Sequence, residues 1–108
     1  MALPPEISVA DLKAMRDAGA AFVLLDVRED DELAVARVAF ARHMPMNGVP
    51  NRLDELPKDA DIVVMCHSGY RSGIVAGYLR EHGFASVANL AGGIDRWSRE
   101  IDPAVPVY

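Results

Sequence analysis

The only cysteine of the chain, Cys66, closes an apolar run and opens a short polar loop, Cys66-His67-Ser68-Gly69-Tyr70-Arg71-Ser72. The residue types here favour a stabilised anion. A helix beginning near Arg71 aims its positive end and its unpaired N–H groups back at the loop. Gly69 permits backbone conformations that turn successive amides inward as a nest. Arg71 adds a permanent positive charge. Together these features predict a depressed thiol pKa at Cys66 and a populated thiolate, the nucleophilic form. The same cradle suits a terminal sulfur or a bound oxyanion. An inert core thiol, the ordinary fate of a lone cysteine, has no use for such neighbours. It would show Cys66 entombed with carbonyl oxygens, rather than amide hydrogens, turned toward it.

Spacing separates two chemistries. Cysteine-dependent phosphatases place five residues between Cys and Arg, whereas four separate Cys66 from Arg71. The shorter loop makes a tighter cradle, which accommodates one sulfur atom more readily than a tetrahedral phosphoryl group. Cys66 is the expected nucleophile and sulfur carrier, and the backbone amides of His67 through Arg71 are the expected stabilisers of its charge. Arg71 either binds an anionic donor or holds the loop. His67 and Tyr70 line the pocket mouth or are simply exposed loop residues. Ser68 and Ser72 donate to the sulfur or cap the helix, capping being the expected role of Ser72. Asp26 and Arg28 end a neighbouring strand. They form a supporting salt-bridge network, or Arg28 adds positive potential near Cys66. His43 and His82 lack ligand-like partners, so no metal site is expected.

These residues need elements to position them. Ser8 and Asp11 resemble a capping box, with Asp in place of the usual Glu or Gln. Val9, Leu12 and Met15 then recur at helical spacing, and Gly19 is placed to stop the helix. Phe22–Val27 and Ile62–Cys66 are apolar runs suited to strands buried on both faces. Helix-like stretches follow at Asp30–Val38, Asn51–Leu56, Ser72–His82 and Gly93–Arg99, with a last strand at Ser86–Leu90. In the third of these helices, Ile74, Val75, Tyr78 and Leu79 form the apolar side, and Gly83 is placed to end it. Gly92 and Gly93 are expected to make a tight turn, and Trp97 to anchor core or rim. Alternating strands and helices predict an α/β fold with a parallel sheet. Sites in such sheets lie outside the carboxyl ends of the strands, where both Cys66 and Asp26–Arg28 fall.

The chain has 108 residues, a length that suits one domain. A net charge of −5 gives no reason to expect nucleic acid or an anionic membrane as partner. No apolar run is long enough to span a bilayer, and Met1–Pro5 does not open a secretory signal. With a free thiol, the expected location is the cytoplasm.

Three segments, in order, resemble the rhodanese family: LLDVRE at Leu24–Glu29, CHSGYRS at Cys66–Ser72, and NLAGGIDRW at Asn89–Trp97. The resemblance runs from Ile7 to Trp97. It implies a single rhodanese domain over residues 1–108, with a core of about 7–99 and a C-terminal extension at 100–108. The implied fold is a central parallel sheet of about five strands with helices on both faces. The implied activity is sulfurtransferase. Cys66 would take a sulfane sulfur from thiosulfate or another persulfide donor, protein persulfides included, and pass it to a thiol or cyanide, with no cofactor. A cysteine-dependent phosphatase or arsenate reductase, and a non-catalytic interaction module, are the competing expectations. One departure stands out. The family usually carries Gly-His-Ile-Pro-Gly-Ala after an acidic residue like Glu32, and here Arg37 stands where that His would be.

Overall fold

The computed structural model describes residues 2–108. In chain order the elements are β1 (Glu6–Ile7), α1 (Val9–Asp17), β2 (Val23–Asp26), α2 (Asp30–Val35), β3 (Arg42–His43), β4 (Ile62–Met65), α3 (Tyr70–Glu81), β5 (Val87–Leu90) and α4 (Gly93–Arg96). Short 3-10 turns occupy Met46–Asn51 and Leu53–Glu55, and a wide π-type turn occupies Trp97–Ile101. The five strands form one parallel sheet in the order β1-β5-β4-β2-β3, so β4 is central.

Strand alternation divides the interior in two. Leu24, Val63, Met65, Ala88 and Leu90 face a layer that includes Val9 and Leu12 of α1, Ile94 of α4, and Trp97. Leu25, Ile62, Val64, Cys66 and Val87 face the other layer, with Val75, Ala76 and Leu79 of α3 and Val49 and Leu56 from the turns. Helices therefore cover both faces, as a parallel sheet requires. No helix among the described residues is long and apolar enough to cross a membrane.

Local chemistry explains the boundaries. The Ser8 hydroxyl accepts from Asp11 N–H and the Asp11 carboxylate accepts from Ser8 N–H, so Asp completes the capping box. The expected Asp30–Val38 helix stops at Val35, because the chain turns extended at Ala36 and sends Ala36 and Val38 into the core. The expected Asn51–Leu56 helix resolves into 3-10 turns. Arg52, with φ −128, interrupts the helical path between them. Helix α3 begins at Tyr70, before the expected Ser72. Its buried face is Ser72, Val75, Ala76 and Leu79, while Ile74, expected on the apolar side, is exposed. The final helix keeps its α form only to Arg96. The backbone then widens, with Ser98 Oγ donating to the Ile94 carbonyl.

Candidate active site

The site forms where β4 ends and α3 begins. Gly69 is the residue that caps α3, with φ +116, a conformation that side chains rarely adopt. Ser72 is therefore not the cap. It lies inside the first turn, fully buried, with its hydroxyl 3.2 Å from Cys66 Sγ. The Gly69 N–H donates to Sγ at 3.1 Å. The amides of Ser68 and Ser72 also favour the ionised sulfur. Burial pushes the thiol pKa up, but the Ser72 hydroxyl and the amides of Ser72, Gly69 and Ser68 outweigh it, and the net direction is down.

Helix α4 sets the pose of this loop. The Ile94 N–H donates to the Cys66 carbonyl and the Asp95 N–H to the His67 carbonyl, both at 3.0 Å. Because a peptide is planar and trans, fixing the His67 carbonyl outward turns the Ser68 N–H inward, toward Sγ. Two glycines make this docking possible. A Cβ on Gly93 would lie 2.5 Å from both carbonyl oxygens, and Gly92 and Gly93 have φ of +83 and +57. The Asn89–Trp97 segment is thus a clamp on the Cys66 loop, with Trp97 buried beneath it.

Cys66 itself is 1% exposed, so the sulfur lies on the floor of the loop. It is entombed, yet the groups beside it are an amide N–H and a hydroxyl rather than carbonyl oxygens.

Arg71 lies at the head of α3 and makes a bidentate pair with Glu32 of α2, at 2.6 and 2.9 Å. Arg71 holds the Glu32 carboxyl down at about 2. Burial opposes this, while the Glu29 N–H and the Tyr108 hydroxyl assist it. The same pairing raises the Arg71 pKa. Tyr108 Oη donates to Glu32 and accepts from Arg28 Nη1, at 2.8 and 2.9 Å. Burial, with the Glu32 carboxylate, pushes the phenol up to about 12 against the opposing pull of Arg28. The His67 ring stacks on the Tyr108 ring at 4.1 Å, and its Nε2 donates to the Tyr108 backbone oxygen. Tyr70 is 79% exposed, and Ser68 is exposed as well.

Arg28 is wholly buried. Its Nε and Nη2 donate to Asp26, and its remaining N–H groups reach the carbonyls of Glu32 and Ala36 and the Tyr108 hydroxyl. The guanidinium thus ties β2 to the end of α2, and its charge is spent on these partners rather than on Cys66. Arg37 is exposed and lines a groove of about 410 Å³ beside Phe40 and Trp97, away from the Cys66 loop. No cluster of metal-ligating side chains occurs among the described residues.

Three residues of this arrangement escape sequence reasoning. Glu32 and Tyr108 lie far from the loop in sequence and carry no local signal. Asn89 was legible as part of a strand and as the start of the Asn89–Trp97 segment, with no sign of a link to Cys66. It is a buried polar residue in β5, and its Oδ1 accepts from Ser72 Oγ at 2.5 Å.

The rhodanese-like domain family model matches residues 8–100. YtwF of Bacillus subtilis is 42% identical over 98 residues, covering 91% of this chain and 94% of YtwF. A protein of Allochromatium vinosum named a sulfurtransferase is 41% identical over 83 residues, covering 77% of this chain and 78% of its own. Among solved structures, a rhodanese-like domain protein from Staphylococcus aureus superposes with a TM-score of 0.84 at 27% identity. That superposition covers 97% of this chain and 99% of the other.

Proposed function

Since the chain belongs to the rhodanese-like domain family, we propose that it is a sulfurtransferase in which Cys66 carries a sulfane sulfur as a persulfide. The observation that supports this most is the polar setting of Sγ: the Gly69 N–H at 3.1 Å and the Ser72 hydroxyl oxygen at 3.2 Å, with the amides of Ser68 and Ser72 also favouring the ionised sulfur. The backbone dipoles of this set are fixed, and they stabilise negative charge without reorganising during reaction.

In the first half-reaction the Cys66 thiolate attacks the outer sulfur of the donor. The new Sγ–S bond forms as the donor's S–S bond breaks, and the bonding pair leaves with the remainder. With thiosulfate, the products are a Cys66 persulfide anion and sulfite. In the second half-reaction an acceptor thiolate attacks the outer sulfur and becomes a persulfide, while the pair returns to Sγ as thiolate; cyanide would leave as thiocyanate. The negative charge moves by one atom in each half, within the same ring of amides. Arg71 contributes positive potential and, through Glu32, holds α2 against the loop. The four residues between Cys66 and Arg71 favour sulfur over a phosphoryl group.

Intact-mass spectrometry tests the proposal. After exposure to thiosulfate or a low-molecular-weight persulfide, the protein gains the mass of one sulfur, lost again on adding cyanide or a thiol. Cys66→Ser gains nothing. An unchanged mass with every sulfane donor overturns the reading, and Cys66-dependent turnover of an aryl phosphate would favour a phosphatase.

A further inference from the structure

Behind the sulfur lies a buried polar chain whose hydrogens can be assigned by elimination. Asn89 Nδ2 faces two acceptors, the Gly69 carbonyl at 3.1 Å and Glu6 Oε2 at 3.2 Å. Neither of these can donate as a carbonyl or an ionised carboxylate, so the amide nitrogen must point at them and Oδ1 must point at Ser72. Ser72 Oγ lies 2.5 Å from Oδ1. Oδ1 has no hydrogen, so the Ser72 hydroxyl hydrogen lies between the two oxygens. A hydroxyl has one hydrogen. In the resting thiol, the 3.2 Å contact between Ser72 Oγ and Sγ is therefore made by the S–H donating to Oγ.

Ionisation changes the bookkeeping of that single hydrogen. A thiolate next to an oxygen lone pair is repelled; it gains a bond only if the Ser72 hydroxyl turns to it. Turning leaves Asn89 Oδ1 buried without a donor, which has a cost of its own. We propose that Asn89 is a positioning residue that holds the Ser72 hydrogen off Cys66 Sγ until the thiol ionises, so that charge on Sγ breaks the Ser72–Asn89 bond.

The consequence for transfer rests on the persulfide reading above. In the sulfur-loaded protein Sγ has no proton and the charge lies one atom further out, toward the amides. The Ser72 hydroxyl is then released to Asn89. The network thus favours the loaded state over the bare thiolate, and Asn89 sets the balance through Ser72 without touching the reacting atoms.

The charged groups nearest the site are Arg71 at the head of α3 and its partner Glu32 on α2, neither of which touches Asn89, and Glu6 on β1, which loses its Asn89 partner in a residue-89 variant. His67 lies in the loop, with its ring turned to Tyr108.

The test is a thiol titration of the full chain, followed by ultraviolet thiolate absorbance and by the pH dependence of alkylation. Asn89→Leu removes the acceptor and frees the Ser72 hydrogen for the sulfur, so the Cys66 pKa falls by about one unit. Ser72→Ala, a small change inside a helix, removes both bonds at once, and the pKa rises by less than a unit. In the Ser72→Ala background, Asn89→Leu has no further effect. A pKa that rises or stays put in Asn89→Leu, or a shift of equal size in both backgrounds, overturns the proposal; each would mark Asn89 as a mere prop for the loop. Where Asn89→Leu does not fold, Ser72→Ala decides alone. A rise of a unit or more would show that the hydrogen already rests on the sulfur, and a smaller rise sustains the proposal. The titration needs no sulfur donor, so its outcome is independent of whether the mass test finds a persulfide.

Discussion

Replacing Gly93 by alanine should injure both the fold and the thiol, and the structure says by how much. The added Cβ would stand 2.5 Å from the Cys66 and His67 carbonyl oxygens. Ordinary contact for such atoms is about 3.5 Å, so roughly 1 Å of movement is forced. The obstacles are backbone atoms, which cannot swing aside as a flexible side chain would. The Ile94 and Asp95 N–H groups that hold those carbonyls would lose their bonds, at about 1 kcal/mol each. The left-handed backbone at φ +57 adds about 1–2 kcal/mol for a residue with a Cβ. The sum is about 3–4 kcal/mol, a large part of the 5–15 kcal/mol that typically holds a domain. Urea unfolding measures it directly. Freeing the His67 carbonyl also lets the Ser68 N–H turn from Sγ, so the alkylation rate of Cys66 should shift toward higher pH. A Gly93→Ala protein with the wild-type midpoint and wild-type alkylation profile would refute the account of α4 as the clamp on the loop.

Three further outcomes are expected. Gly77→Ala, inside α3 with nothing within 4 Å of the new methyl, should stabilise by about 0.5–1 kcal/mol, giving a control of opposite sign in the same melts. Glu32 has a carboxyl held at about 2, below its ordinary 4.5. It therefore adds stability that is fully present above pH 4.5 and is lost as pH falls through 2, on the order of 1–2 kcal/mol once solvent screening of the pair is counted. Glu32→Gln should flatten the pH dependence of unfolding across that window, and an unaltered slope would show that the Arg71 pair is not linked to folding. Arg28→Met strands the buried Asp26 carboxylate and should destabilise by about 3–5 kcal/mol. In Asp26→Asn/Arg28→Met most of that loss should return, as chemical denaturation of the single and double variants can show.

The sheet and the cysteine loop were legible because their signals are local. Runs such as Ile62–Cys66 read as buried strands without reference to anything distant, and the Cys-to-Arg spacing lies within one loop. Strands β1 and β3 were not legible, since two residues cannot display a period. Their pairing is decided by β5 and β2 beside them. Ser72 was assigned to a cap because hydroxyls often stand at helix starts. The start instead needed a left-handed residue, and Gly69 supplies it one turn earlier. Glu32, Asn89 and Tyr108 meet the loop across 39, 17 and 41 residues of chain. No spacing rule connects positions so far apart; only the folded sheet brings them together.

Because β4 has a full-length neighbour on each side while β1 and β3 are two-residue margins, the molecule should breathe from its rims inward. Amide protons of the outer strands would exchange with solvent during small openings that leave Val63 and Val64 untouched. Cys66 follows directly on the strand that opens last. Fraying at the borders of the sheet can therefore proceed many times over without loosening the seat of the sulfur.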